Sequence, residues 1–160
     1  MGTHEYVADI RNDDVRISIN KNLFRRNEAK ISVFDSGFLL GDGIWESFRL
    51  HKGVLVFIDD HLDRLFRGAA SISLDIPYSR EEIISEIKNV ISSNKMYDDV
   101  HIRLIMTRGL KPTPYQAPWV ISSLPTMVII PEYKKANLDR SIKGISLVTV
   151  DVIRGTQNSQ

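Results

Sequence analysis

The chain has 160 residues, 42% of them hydrophobic and 26% charged, which suits one domain of ordinary size, or one and a fraction, with a core worth burying. Twenty-one Lys and Arg against 20 Asp and Glu leave a formal charge of +1, so electrostatics make no case for nucleic acid or an anionic membrane as the main partner. The absence of cysteine excludes disulfides and thiolate metal sites.

The opening MGTHEYVADI has neither the basic region nor the apolar stretch of a signal peptide, and Tyr6 stands where a myristoylation motif requires Ser or Thr. No apolar run approaches the roughly 20 residues of a membrane helix, and the expectation is a cytoplasmic protein. The first predicted strands are EYVAD and then VRISI, where Val15, Ile17 and Ile19 alternate. Residues 44–50 and 54–58 flank His51-Lys52-Gly53, a hairpin turn in which Gly53 supplies positive φ. Asp59 or Asp60 then caps a helix with Leu62, Leu65, Phe66, Ala69 and Ile72 on one face, ended by Pro77. Ser79 caps a second helix through Ile83, Ile84, Ile87, Val90 and Ile91.

Val100 to Met106 reads as a strand closing at Thr107-Arg108-Gly109. The following LKPTPYQAPW, with Pro112, Pro114 and Pro118, is neither helix nor interior strand. Residues 126–130 and 145–153 read as strands, separated by the polar PEYKKANLDRSIKG. Hairpin strands with two helices make the fold class α+β rather than a doubly wound sheet.

Gly41 and Gly43 flank Asp42, but a phosphate loop needs a helix after it and further residues at fixed spacing, and here a strand follows. The turn reading is preferred. Arg64 has His61 one turn before it and Gly68 one turn after, so its planar fork either meets a phosphate or is an ordinary solvated charge paired with Asp60. Trp45 and Phe48 stand in a strand, where aromatics usually fill a core, while Glu46 and Arg49 point to opposite faces and are no natural pair. His4, His51, His61 and His101 lack metal-ligand spacing, and Ser36 lacks the setting of a nucleophile elbow. The loop Pro112–Trp119 is a candidate lid or pocket wall.

VFDSGFLLGDGIWESFR at 33–49, the hairpin, FIDDHLDRL at 57–65 and HIRLIMTRG at 101–109 together resemble the N-terminal half of the class IV, or fold-type IV, pyridoxal-phosphate enzymes. That family includes branched-chain and D-amino-acid aminotransferases, (R)-selective amine transaminases and aminodeoxychorismate lyase. The resemblance spans about residues 10 to 155. It implies that Arg64 binds the phosphate of pyridoxal 5'-phosphate and that Trp45 lines the active site. Arg108 and Tyr115 fall in the implied substrate pocket. Lys111-Pro-Thr-Pro-Tyr115 does not reproduce the Arg and His that D-amino-acid aminotransferases carry for the substrate carboxylate, and Tyr115 and Trp119 favour a branched or aromatic substrate.

The resemblance also implies a lysine that forms a Schiff base with the cofactor, placed beyond Gln160. None of the lysines from Lys21 to Lys143 matches its place, so no catalytic residue is assigned within the chain. The expected organisation is an N-terminal α+β domain at 1–120 and the first strands of an incomplete C-terminal cofactor domain at 121–160. The implied activity is transamination of a branched-chain-like amino acid to its 2-keto acid, by a homodimer, with this chain alone inactive. Aminodeoxychorismate lyase activity and a non-catalytic subunit or binding domain are the alternatives.

Overall fold

The computed structural model describes residues 8–135, 142–144 and 146–152. Alternating segments become strands where they find a neighbour to bond. β1 (Arg16–Ile19) and β2 (Asn22–Arg25) form a hairpin, and α1 (Ser36–Leu40) leads into the long β3 (Gly43–His51). β3 turns through Lys52 and Gly53, at φ 79, into β4 (Val54–Leu55), so the expected hairpin is present with a shorter second strand. β5 (Val100–Thr107) and β6 (Thr126–Tyr133) complete a six-stranded antiparallel sheet of order β2-β1-β6-β5-β3-β4.

One sheet face is covered by α2 (Ile58–Ser71) and α3 (Arg80–Ser93). Leu62, Leu65 and Ala69 of α2 and Ile83, Ile87 and Val90 of α3 share a core with Phe48, Leu50, Val100, Ile102, Leu104, Met106, Met127 and Ile129. The register aligns this face, with Phe48 opposite Ile102, Leu50 opposite Val100 and Leu104 opposite Ile129. Each large aliphatic side chain so buried contributes about 1.5–3 kcal/mol. The other face carries Trp45, Ser47, Arg49, His101 and Arg103, out of phase with the buried set.

The α3 start follows the expectation: Ser79 Oγ accepts from the Glu82 backbone N–H, and the Glu82 carboxylate accepts from the Ser79 N–H. The α2 start does not. Its N-cap is Phe57 at φ 52 with no side-chain cap, and Asp59 and Asp60 lie in the first turn, where they complement the positive end of the helix. Residues 56–58 therefore leave the strand earlier than their apolar run suggests. Part of EYVAD lies outside the described residues, and Ile10–Asn12 is a 3-10 turn capped by Asp9.

The compact unit runs from Ala8 to Lys135, past the expected division at residue 120, because β6 pairs with both β5 and β1 inside the sheet. Met1–Val7 and Ala136–Gln160 form the other unit. Of the expected strand at 145–153, residues 146–152 are described and carry no strand. Leu147, Val148, Val150 and Val152 stay exposed, and alternation without a partner strand closes no ladder.

Candidate active site

The GDG string is a turn between α1 and β3, as expected, and each residue in it has a separate task. Gly41 ends α1 in the left-handed conformation at φ 66. At Gly43 a Cβ would sit 2.7 Å from the Met106 carbonyl oxygen, so only glycine allows β3 to approach β5 there. Asp42 accepts from Arg108, Nε to Oδ2 at 2.7 Å and Nη2 to Oδ1 at 3.1 Å. Arg108 also donates to the carbonyls of Ser73 and Ile72, which ties the end of β5 to the turn after α2. This guanidinium is buried and committed to a clamp.

Arg64 lies on α2 and points back to β3. Its Nε donates to Glu46 Oε1 and its Nη2 to Glu46 Oε2, both at 2.6 Å. His61 Nδ1, one turn earlier, lies 2.8 Å from Glu46 Oε2, and a carboxylate there requires the proton on Nδ1. Asp60, the partner in the solvated-charge alternative, is not the one used. Glu46 is only 3% exposed, whereas the Arg64 side chain is 64% exposed. Burial pushes the Glu46 carboxyl up, but the hydrogen bonds from Arg64 and His61 outweigh it, so the group titrates below the usual range. The Glu46 bonds in turn raise the pKa of Arg64, which stays a cation throughout.

Nη1 of Arg64 makes no hydrogen bond among the described residues and belongs to the exposed end of the fork. One turn on, a Cβ built at Gly68 would meet only Ile44 Cγ2, at 3.7 Å, so packing leaves open space beside the arginine. A free N–H edge on an exposed cation flanked by open space fits a phosphate group.

Trp45 is not a core aromatic. It is 59% exposed on the open sheet face, with the Arg103 guanidinium 4.6 Å from its ring centroid. His101 lies on the same face, and burial, with help from Lys134, Arg103 and Arg49, lowers its pKa. The loop after β5 is closed by Lys111, whose buried amine donates to the carbonyls of Ala117 and Val120 at 2.9 and 3.2 Å. Tyr115 is left exposed on that loop. A cleft of about 490 Å³ separates the loop from the α2–α3 turn, lined by Leu74, Pro77, Trp119, Ile121 and Leu124, with Arg108 beside it. No hydrogen bond or ring contact joins Arg64 to Trp45, Arg108 or Tyr115 among the described residues. Those residues hold no cluster fit for a metal ion and no helix long and apolar enough to cross a membrane.

Sequence reasoning missed Glu46, Asp42 and Lys111. Glu46 carried a signal, being in phase with the buried Phe48 and Leu50. A carboxylate at a core-facing strand position demands a cationic partner.

The sheet, its one-sided helical cover and this geometry define an α+β domain matching the N-terminal part of the fold-type IV enzymes. A family model described as amino-transferase class IV matches residues 43–158, and the chain belongs to that family. Branched-chain-amino-acid aminotransferase-like protein 1 of Arabidopsis thaliana is 36% identical over 141 residues, covering 88% of this chain and 25% of that protein. D-alanine aminotransferase of Bacillus licheniformis is 29% identical over 140 residues, covering 88% of this chain and 48% of that protein. The chain thus spans between a quarter and a half of these relatives. Among solved structures, the branched-chain amino acid aminotransferase of Escherichia coli superposes with a TM-score of 0.68 at 19% identity, over 78% of this chain and 41% of that one. The 4-amino-4-deoxychorismate lyase of Pseudomonas aeruginosa superposes with a TM-score of 0.60 at 25% identity, over 78% and 42%. The family is pyridoxal-phosphate-dependent, and another branched-chain amino acid aminotransferase of the same fold is solved with pyridoxamine 5'-phosphate.

Proposed function

We propose that these residues form the phosphate-gripping and substrate-facing part of a pyridoxal-phosphate-dependent aminotransferase that converts a branched-chain-like amino acid to its 2-keto acid. The observation that carries the reading is Arg64, an exposed guanidinium anchored on Glu46, whose Nη1 makes no hydrogen bond among the described residues. Bound there, the cofactor would supply the electron sink that makes an amino acid Cα–H acidic, and the carrier for the amino group. Arg64 binds and orients the phosphate. Trp45 and Tyr115 offer aromatic surface to an apolar side chain, and Arg108 shapes the site from behind by fixing the GDG turn to β5. The relatives' names include both branched-chain-like and D-alanine aminotransferases, and the exposed aromatics support the former.

The homodimer comes with the family resemblance. The likeness to 4-amino-4-deoxychorismate lyase supports a second reading, in which the same phosphate grip serves a lyase. In both readings the resemblance assigns the cofactor-linking lysine to no position within residues 1–160, and these residues alone are expected to bind without turning over. Incubation with pyridoxal 5'-phosphate, borohydride reduction and mass spectrometry test this. Scattered substoichiometric labelling is expected. One lysine labelled to stoichiometry, and unlabelled in Arg64→Ala, would place a complete site within the chain and overturn the reading.

A further inference from the structure

Two of the strings that carry the family resemblance meet in one side-chain cluster. Glu46 belongs to the first, His61 and Arg64 to the second, and Glu46 and Arg64 are 18 residues apart in sequence. We infer that Glu46 is the positioning residue for Arg64, with His61 as its second anchor, so that the Nη1 edge of the guanidinium is aimed at the ligand's phosphate before the ligand arrives. The inference rests on the phosphate reading of Arg64 given above.

An arginine that is 64% exposed and unanchored samples many rotamers, and ordering it on binding weakens affinity by roughly three- to tenfold. Here the ordering is done on folding. The Nε and Nη2 edge is held by a carboxylate that is 3% exposed and fixed on a central stretch of β3. Glu46 cannot turn away, because His61 holds its Oε2 from the same helix face, and His61 itself is packed against Phe48 with ring centroids 5.7 Å apart.

The opposite possibility has a different sign. A buried carboxylate on an arginine also competes with an incoming phosphate for the same cation. If competition dominates, neutralising Glu46 tightens phosphate binding. If positioning dominates, it loosens binding.

The test uses the chain labelled with 15N, titrated with inorganic phosphate and with pyridoxal 5'-phosphate, following the Arg64 Nε–H signal. The unsubstituted chain is expected to show one exchange-protected Nε–H resonance that shifts with either probe. Glu46→Gln is expected to keep the backbone spectrum, lose that protection and bind phosphate about tenfold more weakly. Should Glu46→Gln not fold, His61→Ala removes only the second anchor and is expected to weaken binding about threefold. Protection that persists in Glu46→Gln, or phosphate affinity that is unchanged or higher in the folded variant, overturns the proposal. An Arg64 signal that neither probe moves in the unsubstituted chain counts against the phosphate reading itself. A shift that occurs in the unsubstituted chain but is indifferent to Glu46 and His61 leaves that reading standing and removes only the positioning role.

Discussion

A carboxylate buried among aliphatic side chains costs several kcal/mol unless both oxygens are met, and Glu46 meets that condition with Arg64 and His61. The arrangement has a pH signature. The Glu46 pKa is depressed below its ordinary value of 4.5, so its contribution to stability is fully present above that value and is lost as pH falls through the folded-state pKa. Urea unfolding followed from pH 7 downward should therefore show a shallower acid limb in Glu46→Gln than in the unsubstituted chain, with a loss of about 1–3 kcal/mol at neutral pH. Parallel acid limbs would mean that Glu46 has the same pKa in both states. At this scale the sequence marked Arg64, Trp45, Arg108 and Tyr115, but not their surroundings. Alternation along 44–50 identifies the faces of β3, which is enough to see that Glu46 and Arg49 part company. It does not reveal which helix residue crosses to Glu46, because that choice depends on how α2 lies over the sheet. Arg108 shows the same limit, since its partners Asp42, Ile72 and Ser73 come from distant stretches of the chain.

At the scale of elements, α2 and α3 differ in how they begin. The Ser79 N-cap is a local signal and was legible in the sequence, and the structure adds the reciprocal Glu82 bond. Phe57 in the left-handed conformation is not, because the constraint there is the tight passage from β4 into α2. The same passage explains why the second hairpin strand stops at Leu55. Packing, more than capping, should dominate the stability of α3. Ile87→Ala, at a position with no exposure, is expected to cost about 2–5 kcal/mol, against about 1 kcal/mol for Ser79→Ala. Urea midpoints of the two variants check this, and a larger loss for the cap would contradict the packing account.

For the whole molecule, the α+β class and most elements were readable from period and turn chemistry, because both are local. Strand order was not. β6 sits between β1 and β5, and that placement joins segments more than a hundred residues apart. It carries the compact unit to Lys135, where the family resemblance implied a division at residue 120. The sheet that results has one face sealed by helices and one open face bearing Trp45 and Arg103, with Arg64 held on the helix-covered side through Glu46. A chain that spans between a quarter and a half of its relatives thus presents a defined cationic grip, which we propose reads the phosphate of the cofactor. The direct measurement is a pair of binding titrations, pyridoxal 5'-phosphate against pyridoxal, on the unsubstituted chain and on Arg64→Ala. The phosphorylated compound is expected to bind at least about tenfold more tightly, with the difference lost in Arg64→Ala. Equal affinity for the two compounds, or a preference that survives the substitution, would contradict it.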